Sequence, residues 1–152
     1  MSHVSPIPEG YPRVCPYLLI DGATEALGFY TNVLGATERM RIPGPNDTIG
    51  HAELQIGDSV VMLADMPAGQ GSNPKSLGGT PVMICVYVDD VDRVFDRAVQ
   101  AGARSLERVQ TKFYGDRTGT FEDPWGHHWS VMTHVEDVPP EEIARRAAAF
   151  AG

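Results

Sequence analysis

A histidine and a glutamate two positions apart are the first residues in this chain that could do chemistry. His51 and Glu53 fall in His51–Ile56, where apolar and polar residues alternate as on a strand, so both side chains share one face. A carboxylate beside an imidazole can serve acid–base work, and with His128 the pair could hold a divalent cation. His128 has the parity of Ser130 and His134 on its own strand. The competing reading has His127-His128 bonding the preceding turn and Glu53 paired with an arginine of a neighbouring strand. Arg117, in Gly115-Asp116-Arg117, either clamps a carboxylate or phosphonate through its fork or forms a salt bridge to Asp116, Glu53 or Glu122. Asp123-Pro124-Trp125-Gly126 reads as a turn organised by its aspartate, and Trp125 can form a rim for an aromatic or cationic ligand. No Ser-His-Asp ordering, phosphate loop or dinucleotide fingerprint is present.

The elements that must carry these residues come in two copies. VCPYLLIDGATEALGFYTNVLGA, from Val14 to Ala36, is echoed by VMICVYVDDVDRVFDRAVQAGA, from Val82 to Ala103. Each copy runs apolar strand, acidic turn, amphipathic helix and Gly-Ala, and internal repetition of this kind sets the architecture. In the first copy the pattern gives a strand at Val14–Ile20 and a turn at Asp21-Gly22 that offers a capping side chain. A helix through Ala23, Ala26, Leu27, Tyr30 and Leu34 follows, stopped by Gly35. Strands at Ala36–Ile42, His51–Ile56 and Ser59–Ala64 complete it. The second copy repeats the order with strands near Val82–Val88, Ala103–Thr111, Arg117–Glu122 and His128–His134, and a helix bearing Val91, Val94, Phe95 and Ala98. The expected fold is α+β: two βαβββ modules, about 13–66 and 82–135, forming a curved mixed sheet around a central cleft within a single domain of 152 residues. Residues 1–12 read as an extended arm, 67–81 as a flexible linker, and about 139–151 as a C-terminal helix opened by proline and acids.

Composition narrows the partners. With 20 acidic against 12 basic residues the net charge is −8, which speaks against nucleic acid and favours solubility. The two cysteines, Cys15 and Cys85, form no CxxC pair and are expected as free thiols in buried strands, a pattern of the reducing cytoplasm. No stretch approaches the roughly 18 apolar residues that span a bilayer, and the amino-terminal segment has no signal-peptide pattern. A soluble cytoplasmic protein without nucleic-acid or membrane partners is the expectation.

Four stretches, PYLLIDGATEALGFYTNVLGA, GHAELQIGDSVVMLAD, GDRTGTFEDPWGHHWSVMTH and the closing HVED, carry a resemblance to a known family. The chain resembles the vicinal oxygen chelate superfamily of glyoxalases, bleomycin-resistance proteins and dioxygenases, and within it the PhnB-like branch. The resemblance implies a homodimer. It also implies four metal-ligand positions, on the first and last strand of each module. Aligned through the acidic turns and through Gly57 and Gly126, these fall on Cys15, Val61, Met83 and Ser130, with Met62 substituted for Val61 if the register slips by one. Such a set does not suit a divalent metal. No metal and no cofactor are therefore expected, the alternative being a displaced site of His51, Glu53 and His128. Parity adds Tyr17, Cys85, Tyr87 and Met132 to the same lining, which suits an aromatic or cationic small molecule. The expected function is small-molecule binding without the usual metal centre. Its alternatives are a lyase, dioxygenase or metal-free isomerase with His51, Glu53, Arg117 and His128 as working residues, or a catalytically silent dimeric interaction protein.

Overall fold

A computed structural model describes residues 4–67 and 69–151. The chain divides into two compact units, Met1–Gly79 and Thr80–Gly152. In the first, β1 (Tyr17–Ile20), α1 (Ala23–Leu34), β2 (Thr37–Pro43), β3 (Ile49–Ile56) and β4 (Ser59–Asp65) follow one another. A one-turn helix, α2 (Pro74–Leu77), ends the unit. The second repeats the order as β5 (Met83–Tyr87), α3 (Val91–Gln100), β6 (Arg104–Thr111), β7 (Asp116–Glu122) and β8 (His128–His134), then adds α4 (Pro140–Phe150). The sheets run β1-β4-β3-β2 and β5-β8-β7-β6, with the first pair of each parallel and the others antiparallel. Two βαβββ modules are thus present, as the repeat requires.

Each sheet has one buried face. In the first unit Leu18, Leu63, Ala52, Leu54 and Val61 share a side by register, all are buried, and α1 packs on β2, β3 and β4. Helix α1 supplies Ala23, Ala26, Leu27, Tyr30 and Val33 at helical spacing and ends at Gly35, whose φ of 66° is a left-handed cap. In the second unit Val91, Phe95 and Ala98 of α3 face the sheet that holds Phe121, Trp129 and Val131, each of these three fully buried. Every such large side chain taken from water is worth about 1.5–3 kcal/mol. Trp129 packs beneath the helix, as its parity demands.

Several expectations are corrected. The cap of α1 is not the neighbouring Asp21. Asp65, at the far end of β4, accepts bonds from Gly22 N (3.1 Å) and Ala23 N (2.9 Å) through Oδ1 and from Ile49 N (2.7 Å) through Oδ2. Strand β1 starts at Tyr17 rather than Val14, which is exposed. Cys15 is half-buried, its thiol donating to the Pro12 carbonyl at 3.6 Å, and Cys85 is exposed on the side of β5 that carries Met83 and Tyr87. The linker is not uniformly loose: Asn73 is buried, caps α2 through a capping box and donates to the Met66 carbonyl (2.8 Å). The arm makes a turn, Tyr11 N to Pro8 O, and is tied to β2 by Arg39, which donates to the Gly10 carbonyl at 3.0 Å. Residues 1–3 of the arm and Ala68 of the linker lie outside the described residues.

Candidate functional site

The face of the first sheet opposite α1 gathers the most chemistry. Register places Tyr17 beside Met62, Met62 beside Glu53 and Glu53 beside Met40, with His51 beside Ile42. Along this face runs a chain of hydrogen bonds. The Tyr11 hydroxyl donates to Glu53 Oε2 (2.7 Å), Glu53 Oε1 meets His51 Nε2 (3.1 Å), and His51 Nδ1 meets the Tyr17 hydroxyl (2.8 Å). Arg39 adds positive charge, its Nε 3.9 Å from Glu53 Oε2 and its guanidinium 4.3 Å over the Tyr11 ring. Burial alone would raise the Glu53 carboxyl, yet the bonds from His51 and Tyr11 outweigh it and leave the group below its ordinary value. The same carboxylate holds the Tyr11 phenol above its usual range. His51 is thus engaged through both ring nitrogens, one against the Glu53 carboxylate and one against the Tyr17 hydroxyl.

A second cluster belongs to the second unit. Tyr87 donates to Asp116 Oδ2 (2.8 Å), and His134 bridges Asp116 Oδ1 (2.7 Å, through Nδ1) and Asp137 Oδ1 (2.8 Å, through Nε2). With Tyr114, Val138, Pro139 and Ile143 these residues line an open depression of about 470 Å³. Asp116 raises the Tyr87 phenol above its ordinary value.

The sequence-derived candidates separate accordingly. His51 and Glu53 stand together with Tyr17, and Glu53 has its arginine on the neighbouring strand. His128 belongs to the second unit, where its Nε2 pairs with Glu122 (2.9 Å), which also takes Arg104 (3.0 Å), so it does not serve the turn. The turn is held by Asp123, which accepts from Trp125 N and His127 N (3.0 Å each) and from Trp129 Nε1 (2.9 Å). Trp125 is half-buried in that turn. Arg117 pairs with none of Asp116, Glu53 and Glu122. Both arms of its fork go to Asp92 on α3 (2.7 Å each), on the helix-covered side. Met83, Cys85 and Tyr87 are exposed, Met132 is half-buried and Ser130 is buried, and register places all five on one side. Val61 is the misplaced one. It pairs with Leu54 on the buried face, while Met62 partners Tyr17 as Ser130 partners Cys85. Gly57 and Gly126 are therefore not equivalent, and the alignment through them is one residue out. Tyr11 and Arg39 went unnoticed, since neither lies in a motif or within 12 residues of Glu53.

At the ligand positions that the resemblance implies, register gives Cys15 and Met62 in the first unit and Met83 and Ser130 in the second. Two thioethers, a hydroxyl and a lone thiol do not fit zinc, iron or manganese. Among the described residues no group of three or more His, Cys, Asp or Glu is arranged to hold a metal ion.

Comparison with known proteins gives a consistent picture. The family model described as Glyoxalase/Bleomycin resistance protein/Dioxygenase superfamily matches residues 14–131. An uncharacterized protein, Mb0911c of Mycobacterium bovis, is 43% identical over 136 residues, covering 87% of this chain and 90% of that one. Among solved structures, TioX from Micromonospora sp. ML1 is similar at a TM-score of 0.64 and 29% identity, over 82% of this chain and 99% of its own. A PhnB protein from Bacillus cereus shares the fold at a TM-score of 0.66 and 16% identity, over 80% of this chain and 99% of its own.

Proposed function

The chain belongs to the glyoxalase/bleomycin resistance protein/dioxygenase superfamily, and from that premise we propose that it binds a small molecule without the superfamily's usual metal centre. One observation carries the reading. The open sheet faces present Tyr17, Met83, Cys85 and Tyr87 to solvent, while the four ligand positions hold Cys15, Met62, Met83 and Ser130. Aromatic and sulfur-bearing surface of this kind takes a partly apolar ligand. The acidic surface favours one that is aromatic or cationic. The protein works as a cytoplasmic homodimer with no cofactor.

Calorimetric titration with phenethylamine, an aromatic ammonium probe, tests the proposal. Binding is expected in protein prepared without a histidine tag and treated with chelator, and Tyr17→Ala or Tyr87→Ala is expected to weaken it at least tenfold. A stoichiometric metal whose removal abolishes binding would overturn the reading, as would heats indistinguishable from dilution. Light scattering on the same samples reads the dimer.

A further inference from the structure

Asp137, Val138, Pro139 and Ile143 supply part of the wall of the depression in the second unit, beside the Tyr87–Asp116–His134 cluster. They lie outside residues 14–131, the part that the family model matches. This stretch is pinned at both ends. Upstream, the Gly115 carbonyl accepts from Val135 N (2.9 Å) and Glu136 N (3.0 Å), so close an approach that a Cβ on Gly115 would collide with the Glu136 oxygen. Downstream, Arg146 on α4 donates to the Phe113 carbonyl (3.0 Å) and to both Glu136 oxygens (2.8 and 3.1 Å), while the Phe150 ring rests 5.5 Å from that of Phe113. Between the pins little apolar surface is buried: α4 has no buried residue, and Val138 and Ile143 are half-buried. What ties the stretch to the sheet is the bond from His134 Nε2 to Asp137 Oδ1, at 2.8 Å.

That bond depends on a proton. The charged ring donates from both nitrogens, to Asp116 (2.7 Å) and to Asp137. A neutral ring has one N–H and one lone pair, and the lone pair repels a carboxylate. The two carboxylates are not equal competitors for the remaining N–H. Asp116 on β7 is buried and also takes the hydroxyl of Tyr87 on β5, whereas the Asp137 side chain is fully exposed and water replaces its partner. Of the other charged groups nearby, Glu136 is occupied by Arg146. Asp116 first, and Asp137 second, hold the His134 pKa above its ordinary value. The tie is therefore intact below about pH 6.5 and is lost as pH climbs through the higher folded value.

We propose that residues 137–143 form a flap over the depression, latched to the sheet while His134 is charged and released when it is neutral. The device regulates entry to a face read as ligand-bearing, yet it is a property of the free chain and stands or falls without a ligand. Methyl-labelled full-length protein tests it by NMR, because methyl protons do not exchange with solvent at high pH. The Val138 and Ile143 methyl signals and the His134 ring signals are followed from about pH 5 to about pH 10. One shared midpoint is expected, with the two residues' methyl order parameters falling by about half or more on the alkaline side. Valine methyl groups of α3 are the control and should stay constant. In Asp137→Ala, which removes an exposed side chain and spares the core, the flap order parameters should be low at every pH. His134→Gln should make them independent of pH. A His134 titration that leaves the Val138 and Ile143 methyl groups rigid would overturn the proposal, even if their chemical shifts move with the charge. So would an Asp137→Ala protein that keeps the closed-state values. The native protein and Asp137→Ala decide the matter even if His134→Gln fails to fold.

Discussion

His134 is held through both ring nitrogens by carboxylates, 2.7 Å from Asp116 and 2.8 Å from Asp137, a pattern that only the doubly protonated ring satisfies. Its pKa is raised above the ordinary 6.5, by the bond to Asp116 first and that to Asp137 second. Asp116 moves the other way: burial would raise it, but the bonds from His134 and Tyr87 prevail. The raised imidazolium stabilises the folded chain fully below about pH 6.5, and this contribution is lost as pH climbs through the higher folded value. Replacing His134 by Gln should therefore lower the melting temperature more at about pH 6 than at about pH 9. A gap that widens with rising pH contradicts the assignment. His51, on β3 of the first unit, has a phenol where His134, on β8, has a second carboxylate.

At the scale of elements, Asp65 does the work that its distance from α1 conceals. Its two oxygens satisfy the first amides of the helix and the first amide of β3, joining three elements at one corner. Asp65→Ala leaves those donors without protein partners and should destabilise the protein by about 2–3 kcal/mol, whereas Asp21→Ala should stay within about 0.5 kcal/mol. Urea unfolding of the two variants separates them, and equal losses would return the cap to Asp21. The second unit solves the same problem locally: Asp90 accepts from Arg93 N at 3.0 Å, as an N-cap should. The repeat thus preserves the helix position while changing the residue that caps it. Asp92, two residues further on, binds Arg117 in bidentate fashion and pins α3 to β7. An arginine fork engaged this way is a structural tie between layers.

For the whole molecule, two copies of one module give two sheets whose helix-covered faces are apolar and whose opposite faces carry Tyr17, His51 and Met62 in one unit and Met83, Cys85, Tyr87 and Met132 in the other. If function proceeds without a metal, chelator should leave the melting temperature unchanged and elemental analysis should find less than stoichiometric zinc, iron or manganese. A melting temperature that falls on chelation and recovers with one cation would restore a metal centre to the account. No helix among the described residues is long and apolar enough to cross a membrane.

The order of elements was legible in the residues alone because it depends on local period. Helical spacing from Ala23 to Leu34, Gly35 as a stop, and alternation over His128–His134 are each specified within a dozen neighbours. The shared face of His51 and Glu53 was legible for the same reason. Only the tertiary structure decided what those side chains meet. Tyr11 reaches Glu53 across 42 positions, Asp65 reaches Ala23 across the same distance, and Arg117 chooses Asp92 over Asp116 and Glu122, both nearer in sequence. It also decided the face of β4. Val60-Val61-Met62-Leu63 is apolar throughout, so no alternation marks its two sides, and a slip of one residue exchanges Val61 for Met62. Local periodicity sets what each segment becomes. Strand pairing, which is non-local, sets which atoms come within bonding distance.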